Sequence, residues 1–217
     1  MKKLHFLIYL GILSFIWACS TEKNTLLSRS YHGTTAHYNG YFNANDLLEE
    51  AMKTYRENQK EDYYNVLPIL QLPSEEEVKN MYSPIDTAIA KCTKVIQRHA
   101  MPSMEKPASK KEEHNRWSDE NWITIGIANF YRRDYDLAFK NFEYTKKFFS
   151  TDKSAYVAEM WMARTYMEQG KFTEANFAIT NLEKAQESME NADSKDSKGK
   201  SSKSSKSKSY SFLSSSS

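Results

Sequence analysis

WITIGIANFYRRDYDLAFKNFEY, residues 122–144, decides the fold, because the chain repeats its pattern. Thirty-seven residues later it reads MARTYMEQGKFTEANFAI, residues 162–179. Ile125 corresponds to Met162, Gly126 to Ala163, Tyr135 to Phe172, Ala138 to Ala175 and Phe142 to Ile179, with Gly170 at the turn of the second copy. Two helices that pack against each other need this distribution. A small residue on the first (Gly126, Ala163) lets the second approach, a small residue on the second (Ala138, Ala175) reciprocates, and aromatic side chains fill the remaining space. The spacing predicts helix pairs near 119–132/135–149 and 154–168/172–188, with a connection inside FFSTDKS, residues 148–154.

Both copies resemble the tetratricopeptide pattern, W-x2-L-G-x2-Y followed by A-x3-F. Asn129 replaces the usual aromatic, Ser150 the usual proline, and Glu159 stands where Trp122 stands in the first copy. The resemblance implies an all-α fold of tetratricopeptide-like helical hairpins, an α-solenoid whose first helices line a concave side. The positions that face such a groove are Ile123, Ile127, Phe130 and Tyr131 in the first copy, and Met160, Arg164, Met167 and Glu168 in the second. This strip is expected to receive a segment of a partner protein, with Arg164 pairing a partner carboxylate.

Residues 117–190 hold the two repeats, and an N-terminal helical region, residues 19–100, is expected to cap them. Few glycines and no strongly alternating runs occur between Thr25 and Ala192, so the chain reads as helix throughout. In NANDLLEEAMKTYREN, residues 43–58, Leu47, Leu48, Ala51, Met52 and Tyr55 share a face, with Asn43 or Asn45 as N-cap. Ser74 and Glu77 form a capping box, and Ser83 before Pro84 marks the next start. Ile85, Ala88, Ile89, Cys92 and Ile96 follow at helical spacing. Residues 101–116, with two prolines and many charges, read as a surface loop. YHGTTAHYNGYFNAN, residues 31–45, is the one aromatic-rich stretch that suits a ligand. Its Tyr31, Tyr38, Tyr41 and Phe42 are expected to pack on the next helix.

The two ends differ from this middle. Lys2 and Lys3 precede an apolar run from Leu4 to Trp17, interrupted by His5, Tyr9 and Ser14 and shorter than the roughly 20 residues a spanning helix needs. Ala18 and then Cys19 close it, with Ile16 two residues before Ala18 and Trp17 where a small residue is usual. This resembles a bacterial lipobox and predicts a signal peptide over residues 1–18, with Cys19 acylated as the new N-terminus. Cys92 then has no partner for a disulfide and reads as a buried thiol. Without residues 1–18 the chain has 28 basic and 28 acidic residues. Six lysines and two aspartates lie beyond Ala192, so residues 20–192 carry about four net negative charges and give no case for nucleic acid. Residues 191–217, Ser- and Lys-rich, have almost nothing to bury and are expected to be disordered.

No catalytic constellation, metal-ligand spacing or cofactor motif stands out. His32 and His37 are five residues apart, about 140° around a helix, and His99 and His114 stand alone in the sequence. The chain reads as a non-enzyme without cofactor or metal. CSTEKNTLLSRSYHGTTAHYNGYFNANDLLEEA (19–51), DYYNVLPIL (62–70), AIAKCTKVIQRHAM (88–101) and RWSDENWITIGIANFYRRDYDLAFKNFEY (116–144) occur in that order. Together they resemble the start of the SprE/PorW-type tetratricopeptide lipoproteins of the Bacteroidota gliding-motility and type IX secretion machinery, over Cys19 to about Leu182. The resemblance implies an outer-membrane lipoprotein facing the periplasm, an adaptor whose partners are protein components of the secretion machinery. Relatives continue into further helical repeats where this chain has its Ser/Lys stretch. The alternative is a SusD-like glycan-binding lipoprotein of a nutrient uptake system, although such proteins insert a large irregular ligand domain that this length does not accommodate.

Overall fold

The structure, a computed structural model, describes residues 24–60, 64, 66, 71–103, 112–150 and 153–196, with side chains up to residue 187 in the last helix. The signal segment, Cys19 and residues 197–217 lie outside the described residues. The described chain is all-helical: α1 (Leu26–Thr35), α2 (Asn43–Asn58), α3 (Tyr82–His99), α4 (Ser118–Tyr131), α5 (Tyr135–Phe148), α6 (Lys153–Glu168) and α7 (Phe172–Asp196). A π-helical segment, Ala36–Phe42, joins α1 to α2, and a 3-10 turn, Glu77–Met81, leads into α3. No strand occurs among the described residues, although Pro102 and Glu113 form an isolated antiparallel bridge at the two ends of the 101–116 connection.

From α2 onward each helix packs on the next, and α4 also touches α6 and the π segment. The expected pairs are present within a residue or two, except at the end of the second. There α7 runs to Asp196, six residues into the stretch expected to be disordered. The two interhelical turns have the same construction. Asp134 N–H donates to Asn129 O and Lys171 N–H to Tyr166 O, both at 2.9 Å and 37 residues apart. Each turn needs a left-handed residue, Arg133 at φ 67° and Gly170 at φ 70°. Glycine adopts that backbone without steric cost, whereas Arg133 is held there while its guanidinium donates to Pro73 O at 3.0 Å.

The core joins Leu48 and Met52 of α2, Ile85, Ala88 and Cys92 of α3, Ile127 and Phe130 of α4, Phe142 of α5 and Trp161 of α6. Cys92 is fully buried, as its helical stripe implies, and burial pushes its thiol up to about 12. Such a thiol is inert near neutral pH.

The N-terminal region departs from expectation in its helix boundaries. Helix begins at Leu26, where the Thr25 hydroxyl accepts from Ser28 N–H at 3.2 Å, and continues through residue 43. Asn43 is therefore helical rather than a cap, and Asn45 donates instead to Glu49 at 3.0 Å. Ala36, Gly40 and Ala44 recur every four residues along this segment and are buried. Fully buried Asn121 of α4 donates to Ala36 O at 3.1 Å and to Trp117 O at 2.7 Å. A Cβ on Gly40 would lie 2.2 Å from the Asn121 Oδ1, so only glycine admits this crossing.

Ser74 and Glu77 form the capping box: Ser74 N–H donates to Glu77 Oε2 at 2.9 Å and Glu77 N–H to Ser74 Oγ at 3.3 Å. The next helix starts at Tyr82, one residue before the expected cap Ser83. The Ser74 backbone and hydroxyl, then Gln59, hold the Glu77 carboxyl down at about 2. A depressed carboxyl stabilises the fold above the ordinary glutamate range and loses that contribution as the pH falls toward 2. An NMR titration should therefore find Glu77 still ionised at pH 3, below the ordinary glutamate range. Ser74→Ala should move its midpoint back up.

Candidate protein-binding groove

Between the π segment, α4, α6 and α7 lies an open apolar trough of about 240 Å³. Its floor is Ile123, Thr124 and Ile127 of α4 with Met160 and Trp161 of α6. Its rims are Tyr41 and Asn45 on one side, and Tyr156, Val157 and Leu182 on the other. The α4 and α6 residues reach it because they recur at three- and four-residue spacing on the sides that face across the α4–α6 contact. Glu120 sits at the margin, buried to 3 % exposure, one helical turn before Thr124, whose hydroxyl donates to Glu120 O at 2.8 Å. Burial, and after it the Glu120 and Glu49 carboxylates, push the nearby Tyr41 phenol up. The trough is thus apolar, with a buried glutamate at its margin.

The structure divides the expected strip. Ile123, Ile127 and Met160 line the trough. Phe130 and Tyr131 do not line it; they close on Trp161, with ring centroids 5.3 Å and 6.1 Å away. Arg164 is half-buried, its guanidinium 4.8 Å from the Trp161 ring and 5.9 Å from Phe130. Burial lowers Arg164 from the usual arginine range, partly offset by Tyr131 and Glu168. A cation stacked in this way covers the aromatic cluster and is not presented to a ligand in the trough. Met167 and Glu168 are exposed beyond the lining, because α6 ends there and turns at Gly170. Of the trough residues outside the expected strip, Glu120, Thr124, Tyr156, Val157 and Trp161 lie on the same two helices, and Tyr41, Asn45 and Leu182 come from other elements. Tyr41 and Asn45 lie on segments with no counterpart in the repeat register, while Leu182 lies on α7 and Tyr156 one turn before Met160.

A wider cleft of about 450 Å³ lies between α2 and the start of α3. Its Tyr55 hydroxyl donates to Leu72 O at 3.1 Å, and its Gln59 amide donates to Glu77 at 3.0 Å. Those polar groups hold the 71–77 segment against α2, so the cleft reads as a structural seam.

Three features expected from the sequence are placed differently. Tyr31, Tyr38 and Phe42 do not pack inward: all are more than half exposed, and only Tyr41 is partly covered. The inward positions are taken by the small residues, which bring the backbone too close to α3 and α4 for an aromatic ring. His99, isolated in the sequence, meets His32 with the Nδ1 atoms 2.9 Å apart. Residue Asn115 of the expected surface loop is buried and donates to His99 O at 2.8 Å and His32 O at 3.3 Å. Among the described residues no group of three or more His, Cys, Asp and Glu is placed to hold a metal ion, and no helix is long and apolar enough to cross a membrane. No protein-family model matches the chain, and no curated protein matches it.

Proposed function

We propose that the chain is a lipid-anchored adaptor of the type IX secretion and gliding-motility machinery. On this reading α4–α7 are two tetratricopeptide-like hairpins of a solenoid. The trough takes an apolar segment of a partner protein. The observation behind it is the open apolar floor of Ile123, Ile127 and Met160 with the buried Glu120 at its margin. An apolar trough between helices suits a peptide side chain, and Arg164, stacked on Trp161, is not placed to pair with the acidic group first expected opposite it. The secretion context is supported by the resemblance of YHGTTAHYNGYFNAN and the motifs around it, and the anchor by the lipobox at Cys19.

The test replaces rim residues that carry little of the core, Tyr156→Ala with Leu182→Asp. Helicity and melting temperature should stay near wild type. Loss of an aromatic anchor costs roughly 2 kcal/mol in a binding hot spot, about thirtyfold in Kd. Recovery of secretion-machinery components from solubilised membranes should fall accordingly, and secretion with it. A folded variant that recovers the same components and secretes at wild-type level overturns the reading. Glycan binding by the purified protein would point to the SusD-like alternative.

A further inference from the structure

The outward face of α1 and the π segment carries Leu26, Leu27, Tyr31, Tyr38 and Phe42, exposed to 84, 76, 54, 56 and 52 %. From Leu27 the large residues recur at four- and seven-residue steps, and Tyr38 and Phe42 touch, with ring centroids 6.3 Å apart. An exposed apolar patch of this kind marks an interaction surface. Three observations say what covers it. No Asp or Glu occurs from Lys23 to Asn45, so the face has no carboxylate of its own to repel lipid phosphates. Leucine, tyrosine and phenylalanine are the residue types that settle in the interfacial layer of a bilayer, where ring and hydroxyl find both environments. Leu26 lies seven residue steps from Cys19, a reach of at most about 25 Å, so an acyl chain on Cys19 holds the start of α1 beside the membrane.

We infer that this face lies in the interfacial layer of the anchoring membrane, with Leu27, Tyr31, Tyr38 and Phe42 against lipid. The inference rests on the reading of Cys19 as the acylated residue. A lipid on Cys19 tethers the chain at one point, and an apposed aromatic helix supplies a second contact that fixes the orientation of the body. The ridge is stiffly mounted. Asn115 ties α1 to the end of α3, and His37 lies against Trp117 with ring centroids 3.9 Å apart. Arg29 on α1 adds positive charge suited to headgroup phosphates. The neighbouring Glu113 turns inward and accepts from Met101 N–H at 2.6 Å and Asn115 N–H at 2.8 Å.

The inert Cys92 makes the test practical. Tyr38→Cys and Phe42→Cys can be labelled with bimane on the full mature lipoprotein, with Phe172→Cys, an exposed aromatic position at the start of α7, as comparison. The proteins are reconstituted in phosphatidylethanolamine–phosphatidylglycerol vesicles that carry nitroxide lipids, and fatty acid on Cys19 is measured by mass spectrometry. Emission at positions 38 and 42 should shift to the blue and be quenched several-fold more than at 172. Acylated protein whose three probes all stay in water overturns the interfacial ridge and leaves the anchor standing. Lipid quenching at 38 and 42 without fatty acid on Cys19 supports the ridge and overturns the anchor. A blue shift that needs high protein concentration, without lipid quenching, assigns the face to a second copy and overturns the proposal.

Discussion

Gly126→Leu is expected to be among the most destabilising single substitutions in α4. A Cβ built on Gly126 lies 2.4 Å from Phe142 Cε1 and 2.7 Å from Cδ1, and Phe142 is fully buried with Trp161 stacked at 6.3 Å. The ring has no room to retreat, so α4 and α5 must separate. Overpacking typically costs 1–3 kcal/mol, and a leucine at this contact should cost about 3 kcal/mol or more. For a domain of this size that is a fall in melting temperature of roughly 6–12 °C. Thermal unfolding followed by circular dichroism measures it. Gly126→Ala combined with Phe142→Leu should recover part of the loss, since the two positions share one contact. A mild effect of Gly126→Leu would mean that the register of the two helices is wrong.

Trp161→Ala should cost about as much for the opposite reason. Trp161 is fully buried and meets Phe130 and Tyr131 edge-on, Phe142 face-on and the Arg164 guanidinium from above. Removing it leaves a cavity and a half-buried cation without its ring. Loss of a large buried aromatic costs about 3–5 kcal/mol. Urea unfolding should show a lower midpoint with little change in slope, as expected when the unfolded surface is nearly the same. Trp161→Phe should retain most of the stability. An alanine variant within about 1 kcal/mol of wild type, below the range for buried aromatics, would show that this cluster is not part of the core. Arg164→Met in the alanine background should be less harmful than in the wild type, because its ring partner is already gone.

The trough was only partly legible in the repeat. Ile123, Ile127 and Met160 follow from repeat register, because the side of a helix that faces the next hairpin recurs with the hairpin itself. Phe130, Tyr131 and Arg164 share that register but fall on Trp161, whose large ring pulls neighbouring aromatics and a cation into one cluster. Register reports a direction around the helix. It does not report how far a neighbour of a given size reaches.

By itself the sequence determined the all-helical class, the four helices from Ser118 onward to within a residue or two at most of their ends, and the capping box at Ser74–Glu77. It also determined the burial of Cys92. Each depends on residues within a few turns of one another, where propensity, capping and hydrophobic period act directly. Only the tertiary structure decided the fate of YHGTTAHYNGYFNAN. Its rings and its small residues both have a near-helical period, so either set was a candidate for the inward face. The choice fell to the small residues because Asn121, 85 positions from Ala36, takes up that residue's carbonyl and stands where any side chain at Gly40 would be. Close approach of backbones displaced the rings to the surface, and no local pattern in the chain carries that constraint.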